Sequence, residues 1–219
     1  MKLCCTILFL ILISCKSTTE SPSVIDLLPL HAGNQWIYQT SVYRDSLPPI
    51  IMQDTATVSS TSTKDSLMLY EIRKNGASDF YRNRYNGLWT IDSSTQNLIL
   101  VYEYPSFPGN EYIAEYNTSS SDSSKTVTEV RMNLLSTNEH VITPAGSFYC
   151  YHYHYESEIV YFLTDIIFNS VTIKNHQIVK EIYFAPGVGI VKATIPRSVY
   201  NGFPNGLRMI SELKQYSLH

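Results

Sequence analysis

Hydrophobic and polar residues alternate with a period of two along most of the chain, and this pattern predicts β-strands. In the stretch "NQWIYQTSVYR" (34–44), for example, alternation places Trp36 and Tyr38 on one face of a strand. Helical periodicity is nearly absent, with one short candidate at residues 24–28, between two prolines. The pattern therefore indicates an all-β protein, in which segment 24–28 forms at most a single turn that seats the N-terminus on the folded body.

Strong turn signals separate these strands. Asn75-Gly76 and Asn86-Gly87 each lie between alternating runs, and Asn-Gly is favoured in two-residue hairpin turns because both residues tolerate a positive φ. The runs and turns together predict about eleven or twelve strands. We therefore expect residues 24–219 to form a single antiparallel β domain. Its sheet would be large and strongly curved, an open or half barrel with mostly meander connections, and a β-sandwich is the alternative.

Residues 1–14 have the features of a signal peptide. Lys2 supplies a positive charge, and "LCCTILFLILI" (3–13) is an apolar run that is too short for a bilayer-spanning helix, which needs about 20 residues. The overlapping "LISC" (12–15) resembles the lipobox of bacterial lipoproteins. The resemblance implies cleavage before Cys15 and lipidation of this cysteine. The alternative is an ordinary signal peptide followed by a chance cysteine.

Residues 15–23, "CKSTTESPS", would then form a lipidated and flexible tether, because the stretch is polar and has no hydrophobic period. Each buried methylene contributes about 0.8 kcal/mol, so the several acyl chains of such an anchor would hold the protein stably on a membrane. Lys16 follows the cysteine, where an aspartate would retain the protein at the inner membrane of enteric bacteria. We expect a cell-envelope protein at the outer membrane, on its periplasmic face or at the cell surface.

Composition and charge exclude several alternatives. Of the four cysteines, Cys4 and Cys5 lie in the signal peptide and Cys15 carries the lipid, so Cys150 has no partner for a disulfide. The formal charge is only −3 and the basic residues are scattered, which argues against binding to nucleic acid. The 17 tyrosines are an unusually large number, and aromatic residues favour strands.

Three spaced motifs carry a resemblance to a known group of proteins. They are Gly-Asn-x-Trp-x-Tyr at residues 33–38, Thr-Pro-Ala-Gly-x-Phe at 143–148 and Tyr-x-Ala-Pro-Gly-Val-Gly at 183–189. The chain is thereby similar to uncharacterised bacterial lipoproteins and secreted β proteins, and more loosely to the superfamily of envelope lipoprotein carriers. The resemblance implies a curved antiparallel sheet around an apolar cavity, and no residue roles come with it.

The stretch "CYHYHYE" (150–156) is the one run whose side chains could bind a metal. On a strand, Cys150, His152 and His154 share one face with Glu156. A metal site would still need a further ligand from elsewhere, and His140 is the candidate because the hairpin at Pro144 carries it back toward this strand. The alternative is a half-exposed strand with no bound metal.

The aromatic residues of the same strand are candidates for a ligand-binding face. Tyr151, Tyr153 and Tyr155 lie on the face opposite the histidines, and Trp36 is a further candidate. No catalytic constellation and no cofactor motif is recognisable. We therefore expect a non-enzymatic envelope protein that binds a hydrophobic ligand or an envelope partner at a concave, aromatic-rich face. A lipid, a glycan or another envelope protein could fill this role.

Two other functions stay open at this point. The first is a structural or assembly lipoprotein without a small ligand, which would pair with a partner through an exposed edge strand. The second is a metal-dependent activity at His152 and His154. The histidine pair is the only feature of the sequence that favours it.

The lipobox generates the first testable prediction. Cys15→Ala should move the protein from the membrane fraction to the soluble fraction, because without acyl chains nothing in the polar tether holds it to a bilayer. Cell fractionation followed by immunoblotting measures this, with Ser17→Ala in the same tether as the matched control. A Cys15→Ala chain that stays with the membrane would show that the lipobox interpretation is wrong.

Overall fold

The computed structural model describes residues 26–44, 47–64, 67–92, 95–121, 124–165, 170–196, 198–200, 203–205 and 207–219. The predicted signal peptide (1–14) and tether (15–23), including Cys15, lie outside the described residues.

The described chain consists of fourteen strands with no helix between them. The strands are β1 (Gln35–Arg44), β2 (Leu47–Lys64), β3 (Leu67–Lys74), β4 (Ala77–Arg84), β5 (Gly87–Ile91), β6 (Leu98–Glu103), β7 (Glu111–Ser121), β8 (Ser124–Thr143), β9 (Gly146–Asp165), β10 (Ser170–Ala185), β11 (Gly189–Ile195), β12 (Ser198–Tyr200), β13 (Phe203–Asn205) and β14 (Leu207–Ser217). No helix of the described residues is long and apolar enough to cross a membrane.

All strands belong to one antiparallel sheet. Twelve of them follow the order β6-β5-β4-β3-β2-β1-β14-β11-β10-β9-β8-β7, while β12 pairs with β10 and β13. The sheet curls into a nearly closed barrel with one unsealed seam, between β6 and β7. The prediction of a single, strongly curved antiparallel sheet is confirmed, and the alternative of a β-sandwich is wrong because all the described strands belong to one sheet. Strands β1 to β6 form one half of the sheet, and β7 to β11 together with β14 form the other half. The two halves meet where β14 pairs with β1.

Hairpins form at both predicted positions, but only the first has Asn-Gly as its two turn residues. Asn75 and Gly76 connect β3 to β4 with φ values of 52° and 81°, the left-handed conformation that a two-residue hairpin turn requires. At the second hairpin the pairing of Arg84 with Gly87 leaves Tyr85 and Asn86 as the turn. Gly87 therefore begins β5 instead of ending the turn, and its φ of 139° is tolerated because glycine has no Cβ.

The segment before β1 closes one end of the barrel. Leu27, Leu28 and Leu30 are buried in the core, with at most 6% of each residue exposed. Asn83 of β4 holds this segment by donating its side-chain N–H to the Leu28 carbonyl at 2.6 Å. The segment seats the N-terminal end of the described chain on the body, as expected, but without a helical turn in its described part.

The first and third sequence motifs meet at this closed end. The Trp36 indole N–H donates to the Val188 carbonyl at 2.6 Å, and the Tyr38 hydroxyl donates to the Ile190 carbonyl at 3.0 Å. Gly189 has a φ of 105°, and a Cβ there would lie 2.7 Å from the Leu28 side chain. The glycine therefore allows the turn after β10 to pack directly against the closing segment.

Two tyrosine hydroxyls bridge the seam between β6 and β7. Tyr112 of β7 accepts a hydrogen bond from the Glu103 backbone N–H at 2.9 Å and donates to the Val101 carbonyl at 2.7 Å. Tyr153 of β9 donates to the Glu103 carbonyl at 2.6 Å. Val101 and Glu103 are two residues apart, so these groups all point out of the same edge of β6. The hydroxyls take the place of the missing backbone ladder.

The seam yields a stability prediction. Tyr112→Phe should lower the free energy of unfolding by about 1–3 kcal/mol, because it leaves the backbone groups of Val101 and Glu103 without their partner. Urea denaturation of the Cys15→Ala chain, which carries no lipid, measures this. Tyr116→Phe is the matched control, since Tyr116 lies on the same strand and is 65% exposed. Equal stability of the two variants would contradict the proposed role of the hydroxyl.

Candidate functional site

The curled sheet encloses a cavity of about 300 Å³. Strands β1, β10, β11 and β14 form one wall, β2 to β6 form the other, and Leu28 of the closing segment contributes to the floor. The lining residues are Leu28, Trp36, Tyr38, Ala56, Ile72, Lys74, Asp79, Tyr81, Leu88, Tyr102, Lys180, Ile182, Phe184, Ile190, Ala193, Ile195, Met209 and Ser211. Lys74 and Asp79 are exposed, so the cavity opens to solvent near the β3–β4 hairpin.

Aromatic and aliphatic side chains make up most of this lining. At its deep end the Tyr102 and Phe184 rings meet edge to face, with centroids 4.6 Å apart, and the Tyr153 ring packs against Tyr102 from behind at 5.3 Å. Burial raises the pKa of Tyr81 and Tyr102 well above the ordinary value, so both hydroxyls stay neutral. The deep end is therefore uncharged.

A polar network lies beside the cavity at the β1–β2 side. Thr40 donates its hydroxyl to Asp54 at 2.8 Å, and the ammonium of Lys74 lies 3.6 Å from the same carboxylate. Burial opposes ionisation of Asp54, but hydrogen bonds from Asn75 and Thr40 outweigh it and lower the pKa of this carboxyl. The charge of Lys74 is thus matched by a carboxylate.

Lys180 is the other cation in the lining, and among the described residues no carboxylate pairs with it. It lies on β10 opposite Tyr155 of β9, and its ammonium is 4.4 Å from the centroid of the Tyr155 ring. Among the described residues, no carboxylate lies within ion-pair distance of this ammonium. Burial lowers the pKa of Lys180, as expected for a cation in apolar surroundings.

The histidines of the "CYHYHYE" run lie on the opposite, outer face of the sheet. His152 contacts Glu139 at 2.7 Å through Nδ1 and Glu181 at 2.8 Å through Nε2, and its ring stacks on Tyr183 with centroids 4.2 Å apart. His154 reaches the other oxygen of Glu181 at 2.8 Å. Both ring nitrogens of His152 therefore lie at hydrogen-bond distance from a carboxylate oxygen.

Both ring nitrogens of His152 are thus occupied by carboxylate contacts. Within the part of the chain that the structure describes, no group of three or more His, Cys, Asp or Glu is arranged to hold a metal ion. His140 pairs with Tyr149 across the hairpin and contacts Ser147 at 2.5 Å, away from the other two histidines. Cys150 is fully buried, and burial raises the pKa of its thiol to about 12, so it stays protonated.

Of the four aromatic residues predicted to form a ligand-binding face, one lines the cavity and three lie beside or behind the lining. Trp36 lines the cavity. Tyr153 is fully buried behind the lining, and Tyr151 packs at 4.9 Å against Tyr104 of the β6–β7 connection. Tyr155 contributes by contacting the lining residue Lys180. The three tyrosines share the inner face, as alternation predicted, but they support the cavity wall instead of forming it.

Sequence reasoning missed Lys180, which lines the cavity, and Glu181, which contacts both histidines on the outer face. A signal was present, because alternation along "KEIYFA" (180–185) places Lys180 on the same face as Ile182 and Phe184. Glu181 could not be identified as the partner of the histidines without knowing that β10 pairs with β9 in this register.

No protein-family model and no curated protein matches the chain. Among solved structures, a protein from Parabacteroides distasonis that is provisionally described as a lipoprotein matches with a TM-score of 0.55 at 15% identity, over 88% of this chain and 99% of that one. A protein from Bacteroides fragilis that is provisionally described as exported and has a YmcC-like fold matches with a TM-score of 0.47 at 15% identity, over 87% of this chain and 98% of that one. A LolA superfamily protein from Nitrosomonas europaea matches at 0.26 and 6% identity, over 90% of each chain.

The match to the Parabacteroides protein agrees with the fold that the resemblance of the three sequence motifs implied. At 15% identity the likeness concerns the fold. The chain thus shares its curled, all-β architecture with the Parabacteroides protein.

Proposed function

We propose that this protein is a lipid-anchored, non-enzymatic protein of the cell envelope that binds an apolar ligand inside its barrel-shaped sheet. The observation that carries the proposal is the open cavity of about 300 Å³ and its aromatic and aliphatic lining. Ligand sites in proteins are typically concave, mostly apolar and at least about this large, with a few polar groups that orient the ligand.

The chemistry of the lining favours an alkyl or acyl chain over a glycan. A sugar needs many free hydrogen-bonding groups, whereas most lining residues are aliphatic or aromatic, and the Trp36 indole and the Tyr38 hydroxyl already donate to backbone carbonyls. An apolar chain gains about 25 cal/mol for each Å² of surface that it buries. The cavity therefore suits the hydrophobic part of an amphiphile.

The N-terminal sequence supports the location. Lipidation at Cys15 would tether the domain to a membrane, at the outer membrane by our proposal, and the tether would enter at the closed end of the barrel, where Leu27 and Leu28 are buried. The shared fold with a protein provisionally described as a lipoprotein is consistent with this location. Because one fold serves many functions, the proposal of a ligand depends on the cavity and not on that likeness.

Filling the cavity tests the proposal. Ala193→Trp should weaken binding of the neutral dye N-phenyl-1-naphthylamine about tenfold, since losing about 60 Å² of apolar contact at about 25 cal/mol per Å² corresponds to that factor. Fluorescence titration of the Cys15→Ala chain measures the affinity, without acyl groups that could compete for the site.

Ala77→Trp is the matched control, because Ala77 is exposed at the start of β4 and does not line the cavity. Its dye affinity should equal that of the parent chain. If the parent chain binds no dye, or if both tryptophan variants bind it as the parent does, the cavity is not a ligand site.

A further inference from the structure

The cavity places one cation, Lys180, where the described residues offer no counter-charge. Lys180 faces inward from β10, on the same side as the lining residues Ile182 and Phe184. Its ammonium contacts the Tyr155 ring, which a cation favours through the ring quadrupole. Asp79 is the only carboxylate among the lining residues, and it lies at the exposed rim beyond ion-pair distance of the described cations.

The other charges of the region are already matched. Lys74 pairs with Asp54, and Glu181, the residue next to Lys180, points to the outer face and contacts His152 and His154. A half-buried cation without an anion is unfavourable, since apolar surroundings penalise its charge. A ligand that brings a negative charge would relieve this penalty, whereas an uncharged ligand would increase it by displacing water.

We propose that the ligand is an amphiphile with a single anionic head group, which pairs with Lys180 while its alkyl chain runs along β10 to the deep end of the cavity. This inference rests on the proposed function and names its ligand class. Residues 180, 182 and 184 lie on one face of the strand and span about 13 Å, so the path from the ammonium to the uncharged Tyr102–Phe184 end accommodates an extended alkyl chain of medium length. The head group is a carboxylate or a phosphate.

The experiment compares three ligands that share one alkyl chain. Decanoate, decyl phosphate and 1-decanol each displace N-phenyl-1-naphthylamine from the full-length Cys15→Ala chain, and dye fluorescence gives their affinities. The two anions should bind at least about tenfold more tightly than the alcohol, because a charge-assisted hydrogen bond in a desolvated site corresponds to about that factor or more. The tighter of the two anions identifies the head group.

Substitutions then assign the preference to Lys180. Lys180→Met should weaken binding of the anions about tenfold to a hundredfold and leave the affinity for 1-decanol unchanged or higher. Lys180→Arg keeps the charge and should retain the preference. Lys214→Met removes the same charge from an exposed position on β14 and should behave as the parent chain.

The outcomes separate this inference from the proposed function. If dye and 1-decanol bind but the anions have no advantage, or if Lys180→Met weakens all three ligands equally, the anionic head group is wrong and the apolar cavity site stands. If neither the dye nor any of the three ligands binds, the proposed function itself fails.

Discussion

The unsealed seam between β6 and β7 is the constraint on which the interior depends. A curled sheet excludes water only if its edges meet, yet β6 and β7 form no backbone ladder. Instead, the hydroxyls of Tyr112 and Tyr153 form hydrogen bonds with backbone groups of Val101 and Glu103 at the free edge of β6. Burial raises the pKa of Tyr112 and Tyr153, so both stay protonated donors. These backbone groups at the seam are thereby hydrogen-bonded, although β6 and β7 do not pack as closely as paired strands would.

Closure at the end of the barrel has a different origin. The Gly-Asn-x-Trp-x-Tyr and Ala-Pro-Gly-Val-Gly motifs are far apart in sequence, but the side chains of Trp36 and Tyr38 bind carbonyls of Val188 and Ile190. Gly189 permits the contact with Leu28. These motif residues pack the closing segment against the body of the barrel. The cavity is the space that remains above this packed floor.

Alternation along the paired strands β9 and β10 places Lys180 on the inner face and Glu181 with the two histidines on the outer face. On the inner face, Lys180 faces an apolar cavity beside Tyr155. On the outer face, Glu181 binds two imidazoles, and Glu139 completes the contacts of His152. Two neighbouring residues of β10 therefore differ in their charge partners. Glu181 contacts two histidines, whereas Lys180 has no carboxylate partner among the described residues. The unmatched side is where a ligand can contribute most.

The sequence by itself determined the all-β class, the hairpin at Asn75-Gly76 and the two faces of residues 150–156, because period-two alternation and turn chemistry are local properties of the backbone. It predicted eleven or twelve strands, whereas the described residues form fourteen. It also predicted a single curved sheet, since so many strands linked by short turns cannot stay flat. Only the tertiary structure decided which strands meet across long sequence separations, as β1 and β14 do. That pairing, together with the seam, encloses the cavity that Lys180 lines, and the register of β10 against β9 brings Glu181, rather than His140, to the histidine pair. Such contacts depend on register and closure, which are cooperative properties of the whole sheet and leave no local pattern in the chain.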